Sequence, residues 1–209
     1  MSDVDELAAA EHLASRMRDL IERVVSTDSD AAALSRAAEL VAAAIGVLHG
    51  EARPYAEPAR LDRAMPPGLR AHGLVVGPGH PMAPPVSLTW DGDRVLGRLR
   101  LRRSFEGPRG YAHGGVSALV LDEVTAKVRA LMDVGRVTRT LTVSYRRPVP
   151  VDVDLVVSAE LVSREERRAV ATGSIALSDR PDVALVTAET HFVLLGGSDT
   201  STALGRLTL

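Results

Sequence analysis

The chain contains no cysteine, and only 3% of its 209 residues are aromatic. Without cysteine, the protein can form no disulfide, no thiolate metal site and no cysteine nucleophile. With so few aromatic residues, Val, Leu and Ala must fill most of the core, which argues against the aromatic platforms on which proteins stack nucleic-acid bases. The composition therefore excludes several classes of site before any motif is considered.

A large charge of one sign and long apolar runs are also missing. The formal net charge is −2, and no block of Lys or Arg occurs, so the chain lacks the electrostatic footprint of a general nucleic-acid-binding protein. No run approaches the roughly 18 apolar residues of a membrane span, and the first twenty residues lack the apolar core of a signal peptide. We expect no nucleic-acid or membrane partner, and a cytoplasmic location.

The hydrophobic content and its periodicity are typical of one globular domain with an N-terminal extension. Hydrophobic residues make up 45% of the chain, enough for a sizeable core. Residues 5–25 carry apolar side chains three and four positions apart, and the same period returns after a turn at 26–30 and continues towards Gly50. This spacing predicts two amphipathic helices. We interpret residues 1–53 as a helical hairpin, and the Pro/Gly-rich residues 54–85 as a linker or wrapping segment.

From residue 86 the pattern becomes that of an antiparallel sheet. A hairpin with an Asp91-Gly92 turn is followed by one long apolar segment, from Gly115 to about Met132, which is too long for a strand and predicts a helix. Four alternating or β-branched segments follow, at 137–145, 155–163, 168–177 and 183–195. The predicted order is β-β-α-β-β-β-β, an α+β domain over residues 86–195 in which one helix packs against the sheet. Residues 196–209 form a weakly patterned tail.

Residues 110–115 read GYAHGG, directly before the predicted helix. Consecutive glycines let a ligand or another backbone approach closely, and a helix begins with unpaired N–H groups at its positive dipole end. Such a loop is suited to bind an anion or a developing oxyanion. The same residues also fit a tight loop that merely leads into a helix, and the motif alone leaves both interpretations open.

Two acids lie inside the apolar segment. Glu123 has Lys127 four positions later, which predicts an ordinary surface pair. Asp122 has no cation three or four positions away on either side, so it lies on a mostly apolar face of the predicted helix. Because burying an unpaired carboxylate is costly, Asp122 is a candidate functional group. A capping role or a pair with a distant arginine is the alternative.

The separation between loop and acid limits how they can cooperate. If the helix starts near Gly115, Asp122 lies about seven residues further, or roughly 10 Å at the α-helical rise. One chain's carboxylate cannot easily reach a group held at the Gly114 amide of the same chain. A composite site would therefore need two helices side by side and predicts an obligate dimer.

These residues resemble the hotdog-fold acyl-CoA thioesterases, in particular the phenylacetate-pathway and human thioesterase superfamily members. The match consists of His-Gly-Gly at 113–115, the acid Asp122 nine positions after the histidine, and Thr138 opening a strand that reads TRTLTVSYRRPVP. The resemblance covers roughly residues 86–195. It implies an antiparallel sheet wrapped around one central helix, and a homodimer, joined edge to edge, or a dimer of dimers.

The resemblance also implies residue roles in the hydrolysis of an acyl-CoA to a free acid and coenzyme A, with no cofactor and no metal. The Gly114 N–H would polarise the thioester carbonyl, with Gly115 beside it, and Asp122 of the partner subunit would be the nucleophile or general base. His113 would shape the loop, and Thr138 would help to hold the attacking water. Some family members carry Asn or Gln before the histidine to help bind the carbonyl, whereas the stretch here has no amide side chain and offers Glu106.

Other residues and functions remain open from the sequence. Arg146 and Arg147 at a strand end could meet the phosphates of coenzyme A, or simply be solvated. His191 is interpreted as a packed or rim residue of the last strand, and His72 and His80 have no metal-ligand spacing. The alternatives to hydrolysis are a non-catalytic acyl-CoA binding or sensing module and a hotdog hydratase or dehydratase.

Overall fold

A computed structural model describes residues 2–48, 52–54, 57–84, 86–128 and 136–194 of the chain. Three α-helices and six β-strands lie in these ranges, together with short 3-10 helices at Arg60–Ala64 and Arg103–Phe105. The helices are α1 (Asp3–Ser26), α2 (Ala31–Val47) and α3 (Gly114–Lys127). The strands are β1 (Ser87–Asp91), β2 (Arg94–Leu99), β3 (Arg136–Tyr145), β4 (Leu155–Arg164), β5 (Arg168–Leu177) and β6 (Arg180–Leu194).

The strands form one antiparallel sheet in the order β1-β2-β4-β5-β6-β3. The predicted order of elements along the domain, β-β-α-β-β-β-β, is confirmed. The predicted end of the long helix near residue 132, and the tail at 196–209, lie outside the described residues. The sheet order leaves β1 and β3 at its two edges.

The alternating pattern of the strands determines which face meets the helix. In β2 the inward residues Val95 and Leu99 are buried, whereas the outward residues Arg94, Leu96 and Arg98 are exposed. From α3, Val120, Leu121 and Val124 are fully buried in the same core. Each such side chain contributes about 1.5–3 kcal/mol when it leaves water. Burial against the sheet is therefore the main source of stability for α3.

Gly173 in β5 allows the helix to lie close to the sheet. A Cβ atom at this position would be 2.9 Å from Cγ2 of Thr125 and 3.2 Å from the carbonyl oxygen of Ser158. Any side chain would therefore push α3 away from β5. The absence of a side chain fixes the depth at which α3, and with it the predicted site, lies in the sheet.

The N-terminal extension contains the two predicted helices. In α1, Ser2 and Asp5 form a capping box at the start. Arg18 donates to the carbonyl oxygen of His80 at 2.9 Å, and the Ser104 N–H donates to Glu22 at 3.0 Å. These bonds tie α1 to the domain. By contrast, α2 buries none of its residues. The second predicted helix is thus formed, but it adds no side chain to the buried core.

The Pro/Gly-rich segment packs against the domain. Ala71, Val75 and Ala83 are buried, and Val75 belongs to the same core cluster as α3. The N–H of Ala71 donates to the carboxylate of Asp62 at 2.8 Å. Residues 71–83 of this segment therefore contribute side chains to the buried part of the protein. Within the described ranges, no helix is both long and apolar enough to cross a membrane.

Candidate active site

The loop before α3 is organised by His113, which is the N-cap residue of the helix. Its side-chain Nδ1 accepts a hydrogen bond from the Gly115 N–H at 3.0 Å, and its carbonyl oxygen accepts one from the Val116 N–H at 2.9 Å. Its own N–H donates to the carbonyl oxygen of Phe105 at 2.9 Å. An N-cap side chain satisfies one of the free N–H groups that every helix start carries.

The Gly114 N–H remains available at this helix start. No group in the described part of the chain accepts a hydrogen bond from it. The positive end of the helix dipole lies here as well. A carbonyl oxygen that gains negative charge would be stabilised at this position.

Tyr145, which the sequence analysis did not single out, lies against Gly114. Its hydroxyl donates to the Gly114 carbonyl oxygen at 2.9 Å. A Cβ atom at position 114 would be 3.3–3.4 Å from the ring and hydroxyl of Tyr145, so the aromatic ring occupies the space that a side chain would need. The contact joins the end of β3 to the start of α3.

Glu106 supports the preceding turn. Its carboxylate accepts from the Gly110 N–H at 2.5 Å, and Gly110 has a positive φ of 82°. Residue 106 also forms an isolated bridge with Ala112. Glu106, in the stretch before His113 where some family members carry an amide, is thus engaged within its own loop, and its substrate role stays a prediction.

The structure brings Asp122 and Thr138 together. The Thr138 hydroxyl lies 3.4 Å from Oδ1 of Asp122 and is oriented to donate to it. Asp122 is half-buried on α3, and Thr138 is exposed on the edge strand β3. A carboxylate beside a hydroxyl at a partly buried position can orient a water molecule or take up its proton.

Gly114 and Asp122 are not brought together within one chain. Both lie in α3, which begins at Gly114, and eight residues of helix separate them by about 12 Å. The chain therefore carries two half-sites, a free N–H with its supporting loop and a carboxylate with its hydroxyl. This is the separation that the sequence predicted.

Comparison with known proteins identifies the family. The sequence profile of the thioesterase superfamily matches residues 109–184, a range that includes both half-sites. A solved structure of a thioesterase superfamily protein is 30% identical to this chain, and the similarity covers 88% of this chain and 90% of the other, with a TM-score of 0.77. This chain belongs to the thioesterase superfamily. The hotdog fold expected from the resemblance is confirmed.

Two curated relatives of this superfamily member match it over a short stretch. The acyl-coenzyme A thioesterase THEM5 of Homo sapiens is 36% identical over 63 residues, which are 30% of this chain and 26% of that protein. The acyl-coenzyme A thioesterase THEM4 of Xenopus laevis is 32% identical over 63 residues, 30% of this chain and 28% of that protein. The chain thus spans only about a quarter of the length of these relatives.

A buried pair of hydroxyls supports the acidic half-site of this thioesterase-superfamily domain. Thr125 donates to the carbonyl oxygen of Leu121 at 2.8 Å and lies 3.1 Å from that of Asp122. Its Oγ1 is also 2.8 Å from Oγ1 of Thr190 in β6. Both threonines are fully buried, so the pair fixes the helical turn that carries Asp122 against the sheet.

Glu123, the acid next to Asp122, has a different environment. It forms an ion pair of 2.6 Å with Lys127, as the i,i+4 spacing predicted. The two side chains are only 28% and 17% exposed, so the pair is less solvated than a surface pair. Lys127 also donates to the carbonyl oxygen of Gly68 at 3.3 Å. The pair thus connects α3 to the Pro/Gly-rich segment.

The remaining candidate residues lie near the surface. Arg146 and Arg147 follow β3, and their N–H groups both donate to the Leu185 carbonyl oxygen while their side chains are exposed. His191 lies at the surface with Nε2 2.8 Å from a carboxylate oxygen of Glu189, which fits the rim interpretation. Among the described residues, no group of three or more His, Asp or Glu side chains is arranged to hold a metal ion.

A groove of about 1070 Å³ lies on the sheet face opposite α3. Small hydroxyl side chains line much of it, from Ser144, Ser158, Ser174 and Thr187. Neither half-site contributes to this groove. Charged side chains, among them Arg146, Glu160 and Glu189, also line it. We do not assign the active site to it, because neither Gly114 nor Asp122 faces it.

Proposed function

We propose that this chain hydrolyses acyl-CoA thioesters to a free acid and coenzyme A in a site shared by two subunits. Gly114 of one subunit would bind the thioester carbonyl, and Asp122 of the partner subunit would act as nucleophile or general base. The observation that carries the proposal is the pair of half-sites about 12 Å apart on one helix. Each half-site holds one of the two components that thioester hydrolysis requires, an oxyanion donor and a carboxylate.

The edge strand β3 supports the shared site. It is ten residues long, twice the length of β1 at the other edge, and a long unpaired edge is normally covered by another strand. Its two ends contact different half-sites, since Thr138 lies beside Asp122 and Tyr145 beside Gly114. Antiparallel pairing of two β3 strands near their middles would bring the Thr138 end of one chain to the Tyr145 end of the other.

The reaction then follows from the groups present. With the carbonyl oxygen bound by the Gly114 N–H, the carbonyl carbon becomes more electrophilic. In the general-base form, Asp122 takes a proton from a water molecule that Thr138 helps to hold, the water oxygen adds to the carbon, and the carbon–sulfur bond breaks. The proton passes to the departing sulfur, which leaves as the thiol of coenzyme A. In the nucleophilic form, Asp122 first forms an anhydride that water hydrolyses.

Four residues complete the proposal. His113 shapes the loop through its bond to Gly115, and Glu106 holds the turn before it. Arg146 and Arg147 follow directly after Tyr145, and their side chains are exposed. Arg146 lines the groove on the sheet face opposite α3, so it would meet coenzyme A outside the Gly114 half-site. Guanidinium groups suit the phosphates of coenzyme A.

The test is thiol release from a panel of acyl-CoA substrates. Asp122→Asn is the test variant, and Glu123→Gln is its matched control. We expect Asp122→Asn to lower kcat by about 10²- to 10⁴-fold, the usual contribution of a general base, while Glu123→Gln stays within a few-fold of the parent. Asparagine keeps the size of the side chain and can still accept from Thr138, so the fold is retained.

The outcomes separate the alternatives. Full activity of Asp122→Asn would refute its role, and tight binding of acyl-CoA without any thiol release would favour a binding or sensing module. Addition of water to an enoyl-CoA would favour a hydratase. After a single turnover in ¹⁸O-labelled water, label in the Asp122 carboxylate would establish the nucleophilic form, with water opening the anhydride at the aspartyl carbon.

A further inference from the structure

The peptide group between Gly114 and Gly115 is held at both of its polar ends. Its carbonyl oxygen, that of Gly114, accepts from the Tyr145 hydroxyl at 2.9 Å. Its N–H, that of Gly115, donates to Nδ1 of His113 at 3.0 Å. We propose that Tyr145 is a positioning residue which, together with His113, aims the adjacent Gly114 N–H at the substrate carbonyl. This inference rests on the proposed function.

Two glycines in succession make such a constraint necessary. Glycine has far more backbone freedom than any other residue, and a donor that must reorient during the reaction stabilises charge less than one already in place. Because a peptide group is planar, fixing its C=O and N–H fixes the orientation of the whole group. The Gly114 N–H belongs to the preceding peptide group, whose carbonyl oxygen, that of His113, accepts from the Val116 N–H at 2.9 Å. The clamp formed by Tyr145 and His113 holds the peptide group on the other side, so both torsions of Gly114 are restricted.

Of the two side chains that form the clamp, Tyr145 is the one that comes from outside the loop. The bonds made by His113, to Gly115, Val116 and Phe105, are all local in sequence, whereas Tyr145 reaches Gly114 across 31 positions. The tyrosine ring also fills the space over Gly114, where a Cβ atom would be 3.3 Å from Cε1. Tyr145 therefore links the orientation of the donor to β3, the strand proposed to pair with the second subunit.

Tyr145→Phe tests the hydroxyl, because it leaves the ring over Gly114 and changes an exposed side chain (56% exposed) that the core does not need. We expect kcat to fall about three- to tenfold, the effect of one neutral hydrogen bond, with KM within twofold of the parent. A residue that only bound substrate would instead raise KM. The control is Thr89→Val, which also removes one exposed hydroxyl but lies on β1, the opposite edge of the sheet, so both constants should be unchanged.

A second readout does not depend on catalysis. In protein labelled with ¹⁵N-glycine, Tyr145→Phe should speed hydrogen exchange of the Gly115 amide at least severalfold and shift its resonance, while Thr89→Val leaves both unchanged. If the parent protein hydrolyses no thioester, the proposed function fails, yet the amide measurement still tests the clamp. Unchanged Gly115 exchange, or an unchanged kcat in an active enzyme, would overturn the positioning role.

Discussion

At the scale of single residues, the site depends on contacts between chain segments that are far apart in the sequence. Thr125 and Thr190 are 65 positions apart, yet their hydroxyl oxygens are 2.8 Å from each other in the core. A buried hydroxyl without a partner is costly, whereas two hydroxyls that bond to each other are not. The pair therefore holds the helical turn of Asp122 in place at little net cost.

This pair predicts non-additive substitutions. Thr125→Val should lower the free energy of unfolding by about 1–3 kcal/mol, because it leaves the Thr190 hydroxyl without that partner. Thr190→Val should cost a similar amount, and the double substitution less than the sum of the two. Urea unfolding of the three variants measures this, with Thr125→Ser, which keeps the hydroxyl, as the control. Strictly additive losses would contradict a direct interaction.

Spacings and contacts between residues near one another in the sequence were predictable. Contacts that depend on how a strand lies relative to the helix were not. The distance between Gly114 and Asp122 follows from helical rise alone, and the pair of Glu123 with Lys127 follows from i,i+4 spacing. The contact of Tyr145 with Gly114 depends on where β3 ends relative to α3, which the alternating pattern of a strand does not specify. The only signal was the position of Tyr145 at the end of its predicted strand, before two arginines.

At the scale of elements, α2 differs from α3 although both are rich in apolar residues. Periodicity predicts an apolar face but not what covers it, and here Leu40 of α2 is 72% exposed, whereas Leu121 of α3 is fully buried. Hydrophobic stabilisation follows the area removed from water. The two helices should thus contribute very differently to stability.

A matched pair of substitutions measures this difference. Leu121→Ala should lower the free energy of unfolding by about 2–5 kcal/mol, since it removes a buried side chain and leaves a cavity. Leu40→Ala should change it by no more than about 0.5 kcal/mol. Both values come from urea unfolding at the same protein concentration. A loss at Leu40 as large as that at Leu121 would mean that the face of α2 is covered in solution.

At the scale of the whole molecule, a histidine lies where α1 meets the Pro/Gly-rich segment. Burial, followed by the nearby His72 and Arg18, lowers the pKa of His80 below its ordinary value of 6.5. Its Nδ1 accepts from the Met82 N–H, and its carbonyl oxygen accepts from Arg18. The folded protein therefore favours neutral His80, and the unfolded chain takes up a proton here at higher pH than the folded one.

Stability should consequently fall as the pH drops below about 6.5, the ordinary histidine pKa, and be unaffected by this group above it. His80→Asn keeps an acceptor for the Met82 N–H but cannot titrate. The decrease in the urea midpoint between pH 7.5 and pH 5.5 should be smaller in this variant than in the parent. Equal decreases would show that His80 makes no contribution.

The assembly proposed for the site can be tested with cysteines, because the chain has none of its own. If two β3 strands pair antiparallel so that the Thr138 end of one meets the Tyr145 end of the other, the two-fold axis passes close to Thr142. The two Thr142 Cα atoms would then lie roughly 4.5–5.5 Å apart, the spacing of opposed residues in an antiparallel pair and within the range of a disulfide. Oxidised Thr142→Cys should run largely as a covalent dimer on a non-reducing gel.

Thr89→Cys is the matched control, since Thr89 is an exposed threonine on β1, the opposite edge of the sheet. It should remain monomeric on the same gel. Cross-linking at Thr89 instead of Thr142 would assign the pairing to the wrong edge for a shared site, because Asp122 and Gly114 both contact residues of β3. In that case the half-sites of two subunits could not meet, and the composite mechanism would have to be abandoned even if the chain hydrolysed acyl-CoA.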